Sequence, residues 1–82
     1  MQTNGKMDFT IGGNKISMSK KDVENAVRDV EPTSIKKYWV EISRKHYPVK
    51  QVVSLVSNIP TVAFGAGDAY RILTRLGFDV KV

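Results

Sequence analysis

MDFTIGGNKISMSKKDVENAVRDV, residues 7–30, decides the fold. Met7, Phe9 and Ile11 alternate with polar residues, Gly12-Gly13-Asn14 supplies residues that accept a positive φ, and Ile16 and Met18 resume the alternation. A two-residue period broken by such a turn predicts a β-hairpin. The period then changes. Ser19 is placed to cap a helix, Asp22 stands at the third helical position as a shorter substitute for the Glu of a capping box, and Met18 is set to pack on Val23 as a hydrophobic staple. Val23, Ala26, Val27 and Val30 follow at i, i+3, i+4 and i+7, which turns one apolar stripe toward a core. Glu24 and Arg28 lie one turn apart on the outer face.

Working outward, Glu31-Pro32-Thr33-Ser34 ends this helix, because proline restricts the residue before it and donates no hydrogen bond. In KKYWVEIS, residues 36–43, Tyr38, Val40 and Ile42 point one way and Lys37, Trp39, Glu41 and Ser43 the other, as in a half-buried strand. Ser43-Arg44-Lys45 is its expected turn, His46 and Tyr47 a short return strand, and Pro48 the first residue of a helix. Val49, Val52, Val53 and Val56 keep helical spacing, with strand as the alternative because so many are β-branched. Asn58-Ile59-Pro60 closes the segment, a loop runs to Gly65, and residues 66–76 form a last helix with Ala69, Ile72, Leu73 and Leu76 inward. Gly77 is its left-handed cap, and Phe78, Val80 and Val82 alternate as a final strand. Residues 1–6 lack periodicity and are expected to fray. The reading is therefore a single α+β domain over residues 7–82, ordered ββα-ββαα-β, with helices packed on a small antiparallel or mixed sheet.

Composition narrows the function. A chain of 82 residues makes one small domain. At this size about 60 to 65% of the unfolded surface is buried, which leaves a thin core and favours work at the surface. The absence of cysteine removes disulfides, thiol nucleophiles and Cys-containing zinc sites, and one histidine does not make a multi-histidine centre. Neither metal nor cofactor is expected. GAGDAY, residues 65–70, only imitates a dinucleotide-binding loop: Tyr70 replaces the third glycine and Asp68 repels phosphate. Gly65 reads instead as a helix cap. His46 near Glu41 and Ser43 on a hairpin lacks the sheltered, oriented base of a catalytic site, so no enzyme is expected. No apolar run approaches the roughly 18 residues of a membrane span, nor the roughly 7 to 15 of a signal peptide. No membrane partner and an intracellular location are the expectations.

Charge gives the positive lead. Residues 1–31 hold five basic and five acidic residues, whereas residues 32–82 hold eight basic residues against Glu41, Asp68 and Asp79, the whole of the net +5. A field of this sign attracts nucleic acid, an anionic membrane or an acidic protein. Lys36, Lys37, Arg44, Lys45, His46 and Lys50 crowd one strand, its turn and the next helix start, with Trp39 opposite the inferred core face. Cations suit phosphate, and an exposed aromatic suits a base or sugar. Against this, tryptophan is usually well buried, which would make Trp39 core and the lysines solubilising. Arg71 and Arg75, one turn apart on the last helix, are second-tier contacts. The two helices around NIPTVAFG are a poor helix-turn-helix, since about eight linking residues replace the usual three or four.

YWVEISRKHYPVKQVVSLVS and FGAGDAYRILTRLGFDV carry a family likeness. Tyr47, Pro48 and Lys50 match a Tyr-Pro-x-Lys helix start, and Phe64, Ala69, Arg71, Leu73, Leu76, Gly77 and Phe78 match a second, arginine-bearing helix ending in Leu-Gly-Phe. Over about residues 36–80 the chain resembles the ScoMcrA-like N-terminal head domain of McrA-type HNH, modification-dependent restriction endonucleases. The turn lacks that pattern's glycine, and Val49 replaces its second proline. The resemblance implies a non-catalytic accessory domain of a restriction-modification system. Residues and resemblance together lead to one expectation: a DNA-binding module that contacts the phosphates of double-stranded DNA through its basic hairpin. The rivals are a protein-interaction domain of a larger nucleic-acid-processing enzyme, anchored by Trp39, and a small dimeric transcriptional regulator.

Overall fold

The structure is a computed structural model that describes residues 6–82. The fraying expected of residues 1–6 thus falls, for residues 1–5, outside the described residues. β1 (Met7–Ile11) and β2 (Asn14–Met18) pair antiparallel with Phe9 opposite Ile16. Gly12 at φ 55° and Gly13 at φ 83° make the two-residue turn, a mirror-image geometry that follows the strand twist and that glycine enters without steric penalty. Phe9, Ile11 and Met18 enter the core from this hairpin.

α1 (Lys20–Ala26) begins where the capping residues predict. The Asp22 N–H donates to Ser19 Oγ at 3.2 Å, and the Ser19 N–H donates to Asp22 Oδ2 at 3.0 Å. A hydrogen bond from Lys6, and then that from the Ser19 backbone, hold the Asp22 carboxyl below its ordinary pKa. The helix is shorter than its apolar stripe suggests, because Val27 is already the cap and Arg28 and Val30 bond only three residues back. The buried Tyr47 ring reaches this end from the second half of the chain. Its hydroxyl lies 2.7 Å from the Val30 carbonyl oxygen and 3.1 Å from that of Val27, which also accepts from the Val30 N–H, and so donates to the carbonyls at the loose end of the helix. Off the helix, Arg28 does not pair with Glu24 and donates to Asn25 Oδ1 at 3.1 Å.

The second half repeats the plan with β3 (Trp39–Ile42), β4 (Lys45–Pro48) and α2 (Val49–Ser57). Three boundaries differ from expectation. β3 starts at Trp39, so Lys36 and Lys37 belong to the loop before it. The turn contracts to Ser43 and Arg44, both left-handed, and Lys45 joins β4 opposite Ile42. Pro48 is extended (ψ 139°) and faces Trp39 across the ladder, so it precedes the helix and Val49 opens it. α2 is helical despite its valines. Val49, Val52 and Val53 are buried together on one face, and α2 packs against both α1 and α3, so burial of the stripe outweighs β propensity.

Asn58, left-handed at φ 63°, ends α2, and a short 3-10 turn (Thr61–Ala63) occupies the expected loop. α3 (Ala66–Arg75) ends in a Schellman motif, with Gly77 at φ 102°, the Phe78 N–H on the Leu73 carbonyl and the Gly77 N–H on that of Thr74. β5 (Val80–Lys81) is shorter than the alternation suggests: Phe78 is buried before it and Val82 is 83% exposed beyond it. It pairs antiparallel with β3, which gives two separate antiparallel sheets, β1-β2 and β4-β3-β5, in place of one. The fold is α+β in the order ββα-ββαα-β. Among the described residues no helix is long and apolar enough to cross a membrane.

Candidate nucleic-acid interface

The antiparallel register of the second hairpin sorts its cations. Trp39 faces Pro48, so the residues just before β3 and just after β4 meet at one end. Lys36 and Lys37 arrive there from the loop and Lys50 from the first turn of α2, and all three line a cleft of about 500 Å³. Arg44 and Lys45 sit at the opposite end, a strand length away, about 10 Å at about 3.3 Å per residue, and His46 lies between the two ends, opposite Glu41. The crowd of basic residues seen in the sequence is therefore two groups.

Ion pairs divide these cations further. Lys45 Nζ lies 3.1 Å from Glu31, which raises its pKa through that hydrogen bond and then through charge attraction. Arg71 is paired with Asp68 at 3.0 Å and Lys81 with Asp79 at 3.1 Å. Among the described residues, Lys36, Lys37, Arg44, Lys50 and Arg75 have no carboxylate within 4.0 Å. Lys37 Nζ stands 5.1 Å from the Tyr38 ring centroid, Lys50 Nζ 5.8 Å from that of Phe64, and the Arg75 guanidinium 5.8 Å from that of Phe9. Charges held over aromatic rings remain available to an anion. Arg71 and Arg75 do not line the cleft.

Trp39 lies neither in the core nor free in solvent. It is half-buried on the sheet face opposite Val40 and Ile42, and its ring stacks on His46 with centroids 4.2 Å apart. Glu41 stands opposite His46 on the ladder. Gly65 caps α3, as expected, and its N–H donates to Asp68 Oδ2 at 3.1 Å.

One residue that the sequence reading passed over, Gln51, shapes the cleft. Gln51 Oε1 accepts from the Thr33 N–H at 2.9 Å, and its Nε2 donates to the Glu31 carbonyl at 3.0 Å. With the Lys45–Glu31 pair, these bonds tie the segment before Lys36 to α2 and β4, so one wall of the cleft is braced from behind. Nothing in the local pattern marks Gln51, since a polar residue beside a lysine is ordinary on a helix surface.

A family model described as SCO5918-like matches residues 7–82. No curated protein and no solved structure matches the chain. Nothing in the family match links the chain to McrA-type HNH enzymes.

Proposed function

The chain belongs to the SCO5918-like family, and we propose that it is a non-catalytic DNA-binding module whose Lys36, Lys37 and Lys50 hold backbone phosphate. The observation that carries this reading is the convergence of three lysines without carboxylate partners on one cleft. Charges already neutralised within a protein release few counterions on binding, whereas unpaired lysines replace those along a phosphate backbone. Arg44 extends the same positive field along the hairpin. Lys45 acts through Glu31, as a brace of the cleft wall. An accessory role beside a nuclease, as the McrA-type resemblance implies, is compatible with a module that binds without cutting.

The test is fluorescence anisotropy with a labelled random duplex at about 50 and 200 mM salt. Three phosphate contacts predict a loss of affinity of about 40-fold across that range. The double reversal Lys36→Glu, Lys50→Glu is chosen because neither residue has an ion pair to break. Reversal of Lys45 would instead set a carboxylate against Glu31 and so change more than a phosphate contact. The folded double variant, verified by circular dichroism, is expected to bind at least about tenfold more weakly at the lower salt. Unchanged binding by that variant, or no binding by the native chain, refutes the proposal.

A further inference from the structure

The cleft at the open end of the second hairpin has more than a cationic rim. Tyr38, Pro48, Val49 and Leu55 give it apolar walls, and its volume of about 500 Å³ falls in the range of small-ligand sites, about 300 to 1,000 Å³. A site for backbone phosphate alone needs neither depth nor an apolar lining. Tyr38 is itself supported from behind by Tyr70, with ring centroids 5.0 Å apart. α2 starts on the cleft with no acidic residue in its first turn, so the positive end of its dipole adds to Lys50. The Ser54 hydroxyl donates to the Ile59 carbonyl at 2.7 Å, and the lysine ammoniums are the charged groups offered to a ligand, with the Ser34 and Thr61 hydroxyls beside them. Flat apolar contact beside a cluster of cations is the complement of an aromatic ring that carries a phosphate.

We infer that this cleft seats one unpaired nucleoside phosphate, with its base against Tyr38, Pro48 and Leu55 and its phosphate on Lys36, Lys37 and Lys50. The inference rests on the nucleic-acid reading above and deepens it. Bases inside a duplex are stacked and cannot enter, so the nucleotide comes from a single-stranded end or gap, or is free. The Gln51 bonds and the Lys45–Glu31 pair hold the wall that contains Thr33 and Ser34 before any ligand arrives.

The experiment compares a blunt duplex, the same duplex with a short single-stranded overhang, and one whose overhang carries abasic sites. Adenosine 5′-monophosphate, inorganic phosphate and a polyglutamate peptide are titrated alongside, with amide shifts followed by NMR. The overhang is expected to improve binding about tenfold, the scale of one stacked base, and the abasic overhang to lose that gain. Thr61→Leu narrows the cleft from an exposed position, removes no lysine and adds no ring on which a base could stack, and is expected to lower the overhang advantage while blunt-duplex binding stays within about twofold. Adenosine 5′-monophosphate that shifts the Tyr38, Lys50 and Leu55 amides more than inorganic phosphate does supports the same chemistry, and without an overhang advantage it identifies the free nucleotide as the source. Equal binding of normal, abasic and blunt duplexes, with no selective shift by the mononucleotide, overturns the inference and leaves phosphate binding standing. Failure of every nucleic-acid probe, with or without shifts from polyglutamate, overturns both.

Discussion

Tyr47 joins the two halves of the molecule at a single hydroxyl. Its ring is only 1% exposed, and its proton serves the carbonyls at the end of α1, twenty and seventeen residues earlier in the chain. In Tyr47→Phe the ring still fills its place and the Val27 carbonyl keeps the Val30 N–H, but the part-buried Val30 carbonyl oxygen loses the hydroxyl. An acceptor stranded in that way costs about 1–3 kcal/mol. Urea denaturation should show the loss as a lower midpoint with an unchanged slope, and nucleic-acid affinity at a temperature where the variant is folded should match that of the native chain. An unchanged midpoint would mean that water reaches the carbonyl in the tyrosine's stead.

The two hairpins solve the same turn differently at the level of elements. The first uses Gly12-Gly13; the second places Ser43 and Arg44 in left-handed conformations that side chains tolerate at some expense. In the first, only one glycine is also a point of tertiary contact. A Cβ on Gly12 would stand 3.0 Å from the Ala63 carbonyl oxygen and 3.2 Å from the Ala63 Cβ, whereas a Cβ on Gly13 meets nothing within 4 Å. Both alanine variants pay the left-handed penalty of about 1–2 kcal/mol. Gly12→Ala must in addition displace the 3-10 turn at Thr61–Ala63, so it should be the more destabilised by about 1 kcal/mol or more. Thermal melts of the two variants check this, and equal losses would show that the 3-10 turn yields freely.

Over the whole molecule, the excess of positive charge in residues 32–82 is not spread evenly once the chain is folded. Lys45, Arg71 and Lys81 are held by carboxylates, and the three other lysines of this segment, Lys36, Lys37 and Lys50, converge on one cleft. Local pairing therefore locates the uncompensated charge, which net charge alone does not. Lys37→Ala should reduce the slope of log affinity against log salt by about one, as the loss of one phosphate contact does. Lys81→Ala removes the same formal charge from a residue paired with Asp79 and should leave the slope within about 0.3 of its native value. Slopes that fall equally in both variants would mean that the protein binds through its overall field and not through the cleft.

Periodicity and caps made most of the fold legible from the chain alone. The Met7–Met18 hairpin, the Ser19–Asp22 capping box and the Gly77 stop of α3 rest on contacts within one turn or one hairpin, and local residue order encodes such contacts directly. The concentration of charge after Pro32 was equally plain. The early end of α1, the half-buried stack of Trp39 on His46, the division into two sheets and the separation of Lys36, Lys37 and Lys50 from Arg44 and Lys45 were not. Each depends on which segments lie side by side. Glu31 meets Lys45 across fourteen residues and Gln51 across twenty, and these pairings decide which cations are neutralised and which wall of the cleft is braced. The chain by itself therefore determined the elements and the sign of the field, because both follow from neighbouring residues. Only the tertiary structure decided where that field is left uncompensated, because an ion pair or a cleft exists only once distant segments have packed together.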